Sequence, residues 1–229
     1  MQDRIRATWN RLQRAVGVIQ KKPSAGGTAI IKDGACLDLS LSDQRSYLHG
    51  GDLLDTLMTT FSIQTPVTLR IFKLTNAVLQ LSRSERHPTD RRAAFLSLGD
   101  TGATQGYWLS RHPQKVITQR STLLDDHILS QSDITPSAAS ITNPDPTRLG
   151  RVALVLAVAL LTKLYPGSKW LLGDISSQCY FLPVACFSVK LHHDSFRFVS
   201  LSVDADGTDW GRLVLVKSQE GTSHHEQQP

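Results

Sequence analysis

Cys179 and Cys186 stand a short way before His192, His193 and Asp194, and together they supply the residue types of a nucleophile, a base and an orienting acid. A cysteine or histidine hydrolase is the chemistry such a set would perform. Against it, cysteines on an apolar stretch are common packing residues, and adjacent histidines at a strand end are usually solvated. The chain contains neither a G-x-S-x-G elbow nor an H-E-x-x-H zinc helix. Asp204, Asp206 and Asp209 crowd three carboxylates into one turn. No bidentate acid follows at the spacing a calcium loop needs, so Asp and Gly there read as a tight hairpin turn.

Two glycine-rich stretches raise further chemistry. Gly99 to Gly106, "GDTGATQG", follows an apolar strand, but it lacks the G-x-G-x-x-G and P-loop spacings and leads into a strand, so a phosphate cradle is a weak reading. His49-Gly50-Gly51 is similar to the oxyanion-hole loop of esterases, and without a nucleophile elbow it reads more simply as a flexible helix entry. These features predict a non-enzymatic protein with no catalytic residue, no cofactor, no metal and no small-molecule substrate. Three cysteines at irregular spacing, with no C-x-x-C pair, also argue against a disulfide framework or a structural zinc site.

The elements that must position these residues follow from periodicity. Thr28 to Leu41 reads as a hairpin turning at Lys32-Asp33-Gly34. Gly50-Gly51-Asp52 opens a short helix to Phe61, and Thr65-Pro66 starts a second one to about Leu81. Strands follow at Ala93 to Leu98 and Tyr107 to Ser110, with helical spacing over Gln114 to Ser130. Ser130 to Pro146, rich in Ser, Thr and Pro, reads as a long mobile loop or a domain-level connector. Val152 to Leu161 is an unbroken apolar run, far short of the roughly 20 residues of a bilayer span, so it reads as the central helix of the core. The last strands are expected at Cys179 to Leu191, Ser195 to Val203 and Arg212 to Val216. The fold class expected is α+β, a mixed or antiparallel sheet packed against helices, with a basic amphipathic N-terminal helical arm.

Charge isolates that arm. Residues 1–22 carry Arg4, Arg6, Arg11, Arg14, Lys21 and Lys22 against Asp3, a net of +5 that equals the charge of the whole chain. Ile5, Trp9, Leu12, Val16 and Ile19 fall on one helical stripe between the basic residues. Residues 23–27, Pro-Ser-Ala-Gly-Gly, read as a hinge, residues 28–216 as one body, and residues 217–229 as a frayed tail. No secretory signal opens the chain, which points to the cytoplasm or nucleus. Arg4, Arg6, Trp9, Arg11, Leu12, Arg14, Lys21 and Lys22 are the expected membrane or nucleic-acid contacts. Arg83, Arg86, Arg91 and Arg92, in the stretch "RSERHPTDRR", form a second expected patch.

This order of elements, together with the closing hairpin "FRFVSLSVDADGTDWGRLVLV" from Phe196 to Val216, resembles the matrix proteins of rhabdoviruses. The resemblance covers the body loosely, and the chain has no P-P-x-Y or P-T/S-A-P budding motif. It implies a self-associating assembly protein at an anionic membrane surface and a nucleocapsid, peripheral to the membrane, and in the virion if viral. An RNA-binding accessory protein, such as a host-response suppressor, is the first alternative, and the Cys/His hydrolase is the second.

Overall fold

A computed structural model describes residues 31–42, 46–83, 89–99, 104–121, 125–178, 183–195 and 197–218. The expected arm at residues 1–22, the hinge at 23–27, Arg86 and Cys179 lie outside these residues, as does nearly all of the expected tail.

Helix α1, Gly50–Phe61, buries Leu53, Leu54, Leu57 and Met58, pairs of apolar residues one turn apart that make a single inward stripe. It stops at Ser62, which takes a left-handed conformation (φ 48°). A short helix α2, Asp125–Ser130, leads to helix α3, Leu149–Leu164, which is buried continuously from Leu149 to Ala157 and again at Leu160 and Leu161. Helix α3 ends where Pro166 and Gly167 follow, Gly167 at φ 79°. Among the described residues no helix is long and apolar enough to cross a membrane.

Strands β1, Leu41–Ser42, and β6, Arg120–Ser121, pair parallel to each other in a small separate ladder. The remaining strands of the first half are β2, Val67–Ile71, β3, Ala77–Ser82, β4, Arg92–Leu98, and β5, Gln105–Val116. Those of the second half are β7, Ser132–Ile134, β8, Ala138–Thr142, β9, Trp170–Ser177, β10, Cys186–Asp194, β11, Phe198–Ala205, and β12, Thr208–Lys217. Together these ten form one antiparallel sheet in the order β3-β5-β4-β2-β9-β12-β11-β10-β8-β7.

That order is a palindrome. Each half is a helix followed by four strands, and in each half those four lie side by side as second, fourth, third, first. The two first strands, β2 and β9, meet in the middle with Leu69 opposite Ile175 and Arg70 opposite Asp174. A lead-in segment extends the match, since β8 adds to β10 while Ala35 to Leu37 bonds to β3 through Leu37 N–H to Leu79 O (3.0 Å) and Leu81 N–H to Ala35 O (2.9 Å). The chain is thus two copies of one unit related by a pseudo-two-fold axis at the β2/β9 junction, with α1 and α3 packed together beneath it. Inward residues such as Leu69, Leu96, Leu109, Ile175, Val203 and Leu213 close over the helices. Trp210 is fully buried edge-on to Phe187, with centroids 5.3 Å apart.

The α+β expectation is corrected by this sheet, which dominates a structure with few helices. Thr65 to Leu81, expected as a helix, forms β2 and β3, because Val67, Leu69 and Ile71 alternate with Thr68 and Arg70 at a strand period. Pro66 is not a first helical residue there, and its carbonyl accepts from Gly99 N–H (2.8 Å). Gln114 to Ser130 is the end of β5, then β6 and α2. Ser130 to Pro146, expected as a mobile loop or a domain-level connector, holds the edge strand β7 and its neighbour β8, with Ala139 and Ile141 facing inward. Their period-2 signal spans only a few residues and is masked by the Ser and Thr between them.

Candidate active site

The starts of α1 and α3 meet at the pseudo-axis, and glycine permits the approach. A Cβ on Gly51 would lie 2.6 Å from the Gly150 carbonyl oxygen and 2.8 Å from the Arg151 Cα. A Cβ on Gly50 would collide with side-chain carbons of Ile71 and Leu172, on the two central strands. Gly50 and Gly51 therefore press the first turn of α1 against both the sheet and the facing helix, with no side chain of their own in the way.

Two helix starts brought together concentrate partial positive charge, and carboxylates answer it. Both oxygens of the buried Asp55 accept from the first turn of α3, from Gly150 N–H and Arg151 N–H (2.8 Å each). Asp55 thus caps α3 from the other half of the molecule, while Arg148, which precedes that helix, supplies no side-chain cap. The Arg151 side chain, only 4 % exposed, bonds Asp52 through Nη1 and Asp125 through Nε (2.9 Å). Burial alone would lower its pKa, but the hydrogen bond and charge of Asp52, followed by those of Asp125, outweigh it and hold the guanidinium above its ordinary value.

His49 stands immediately before α1 and is 7 % exposed. Its Nδ1 lies 3.9 Å from Asp52 Oδ2, and it makes no side-chain hydrogen bond to the helix start. Beside Gly50 is a cavity of about 10 Å³, room for roughly one water, lined by Leu48, Leu53, Ile71, Leu79 and the exposed pair Lys73 and Leu74. A buried imidazole, a glycine helix start packed against Ile71, Leu172 and the start of α3, and a carboxylate in reach of solvent therefore follow one another along the chain, and the apolar cavity lies against Gly50. This set can take up a proton, orient the base and stabilise a developing oxyanion.

The residues singled out from sequence fall elsewhere. Cys186 begins β10 while His192, His193 and Asp194 end it, some 20 Å away at about 3.3 Å per residue, and Asp194 accepts from the Tyr165 hydroxyl. Cys186 is thus not brought to His192, His193 and Asp194, and Cys179 lies outside the described residues. The turn carboxylates serve the backbone: Asp206 accepts from Cys186 N–H (2.7 Å) and Ala185 N–H (3.1 Å), and Asp204 accepts from Gly207 N–H (2.8 Å). Among the described residues no group of His, Cys, Asp and Glu is arranged to hold a metal. Arg83 bonds the Tyr107 hydroxyl (2.9 Å), whereas Arg92 lies over the Trp108 ring (4.3 Å from its centroid), so these two arginines attend different aromatic rings. His49-Gly50-Gly51 was visible as a motif, but its partners Asp52, Asp55, Asp125 and Arg151 were not. The one available signal was an arginine at the head of an apolar run.

No protein-family model and no curated protein sequence matches this chain. Solved structures similar to it include a protein of Thermobifida fusca YX assigned as a thioesterase II, at 10 % identity and TM-score 0.46, covering 84 % of this chain and 95 % of that one. Another is the pyran synthase domain from module nine of the sorangicin pathway, at 10 % identity and TM-score 0.42, covering 88 % and 100 %. A third is a conserved protein of Alicyclobacillus acidocaldarius described as having a hot dog fold, at 10 % identity and TM-score 0.38, covering 76 % and 89 %. These are not matrix proteins, and the two consecutive helices on which the rhabdovirus resemblance rested are one helix and two strands. The expectations of a non-enzymatic, matrix-like or RNA-binding assembly protein without a small-molecule substrate are corrected accordingly.

Proposed function

We propose that this chain is an acyl hydrolase acting at the start of α1 on an acyl group held as an ester or thioester. The observation that carries this reading is the first turn of α1, whose Gly50 and Gly51 bear no side chains of their own, with the buried His49 before it and Asp52 after it. The substrate carbonyl oxygen rests on the backbone N–H groups of that turn, where the helix dipole stabilises the charge that builds on it. His49 removes a proton from water as the water oxygen bonds to the carbonyl carbon. The bond to the leaving sulfur or oxygen then breaks, and the proton passes to that atom. Asp52, fixed by Arg151, orients the imidazole.

The acyl chain lies along Leu48, Leu53, Ile71 and Leu79, and it enters by displacing Lys73 and Leu74, because the resting cavity is only water-sized. The test is thiol and alcohol release from a panel of acyl thioesters and esters of graded chain length. His49→Gln is expected to lower kcat about a hundredfold with unchanged melting. An unchanged kcat in that variant, or no hydrolysis of any member of either series, overturns the reading.

A further inference from the structure

The sheet carries a second concavity, a groove of about 310 Å³ between the start of β3 and the end of β5, within the size range of small-ligand sites. An irregularity in the sheet builds it. Strand β5 pairs with β4 up to Ser110 and continues beside β3 alone, where Leu79 faces Arg111 but Ala77 faces Val116. His112 to Lys115 are therefore looped out as one wall, stiffened by the Gln114 N–H bond to His112 Nδ1 (3.2 Å). Bulges of this kind re-aim side chains at sheet rims beside functional sites. Arg91, at the end of a 3₁₀ turn, lines the groove as well.

Among the described residues the lining holds Arg91, Arg111 and Lys115 together with His112 and no carboxylate. Three cations around one concavity of this size suit a compact multiply charged anion, and the planar guanidinium groups suit phosphate oxygens in particular. The groove also neighbours the candidate active site along the chain. Ala77 lines the groove while Thr75 and Leu79, two residues to either side, line the cavity beside Gly50; Arg91 lines the groove while Ala93 lines the cavity.

We infer that this groove binds the phosphorylated handle of the substrate, a pyrophosphate-bearing group, while the acyl end reaches round the β2–β3 connection to His49. This rests on the acyl hydrolase reading. It is tested by calorimetric titration of the full chain with inorganic pyrophosphate, ADP and adenosine. Pyrophosphate and ADP are expected to bind and adenosine is not. Arg91→Gln and Lys115→Gln are each expected to weaken ADP about tenfold, whereas Lys190→Gln, exposed on the distant β10, leaves it unchanged. Equal binding of adenosine and ADP, insensitivity to both groove substitutions, or binding of an RNA oligonucleotide without binding of ADP overturns the inference.

A thioester whose handle has no phosphate separates this inference from the reading on which it rests. If ADP binds as stated but neither that thioester nor its phosphorylated counterpart is hydrolysed, the hydrolase reading fails and the anion groove stands. If both are hydrolysed with equal kcat/KM, and the groove variants change neither, the groove inference fails alone.

Discussion

Asp52 and Arg151 are each the third residue of their helix, α1 and α3, and they are bonded to each other across the pseudo-two-fold axis. Equivalent positions of the two units thus carry opposite charges. A symmetric pair of either sign would place like charges in contact within the interior, so divergence of the two copies at this position is what lets the helix starts meet.

The trans cap from Asp55 makes the two units one cooperative structure. Asp55→Ala leaves two first-turn N–H groups of a buried helix without their acceptor, and a loss of about 2–3 kcal/mol is expected. Urea unfolding followed by circular dichroism measures it, and Asp55→Asn is expected to recover part of the loss.

Gly51→Ala is expected to cost more than an ordinary glycine-to-alanine change within a helix. Its methyl meets backbone atoms of Gly150 and Arg151, which cannot swing aside as a side chain does. The helices must separate, at about 2–3 kcal/mol by the usual cost of overpacking. The expected sign is opposite to alanine's favourable helix propensity, so a stabilised variant in thermal unfolding would count against the close crossing.

Asp174 gives the sheet a pH dependence. Burial pushes its carboxyl up to about 6, and the neighbouring Arg70, 3.5 Å away, pulls in the opposite direction. A carboxyl whose folded pKa is raised contributes stability that is complete below its unfolded value, near 4, and is lost as pH rises through 6. Between about pH 4 and 7 the wild type is expected to lose on the order of 3 kcal/mol relative to an Asp174→Asn variant. Parallel denaturant curves across that window, with no divergence between the two proteins, would refute it.

Tyr165 offers a local probe. Its hydrogen bond to Asp194, with smaller contributions from burial and from the carboxylate charge, pushes the phenol up to about 12. Ultraviolet titration is expected to show Tyr165 still protonated at about pH 11, and Asp194→Asn is expected to return it to the ordinary range near 10.

If the acyl chain enters past Leu74, then Leu74→Ala widens the entrance without touching the core, since that side chain is 40 % exposed. Preference among acyl thioesters is expected to move severalfold towards longer chains in kcat/KM. A uniform change across chain lengths would place the acyl group elsewhere.

Local pattern in the sequence determined several elements by itself. The all-apolar run Val152 to Leu161 has no polar face to offer solvent, so α3 had to be central. The Asp-Gly turn at Asp206 and Gly207 had to be a hairpin, since both residues accept positive φ. Tertiary structure decided the rest. The two-fold repeat is a matter of strand order and pairing, since a strand or helix is maintained by burial of a pattern rather than by particular side chains. Beyond the shared Gly51 and Gly150, the first turns of α1 and α3 differ in composition and charge. The site depends on that repeat: Asp52 and Arg151 are 99 positions apart in sequence, and only the meeting of two helix starts brings them together. A short β signal such as Val67 to Ile71 was likewise settled by its partners, since strand pairing supplies the hydrogen bonds that local propensity cannot.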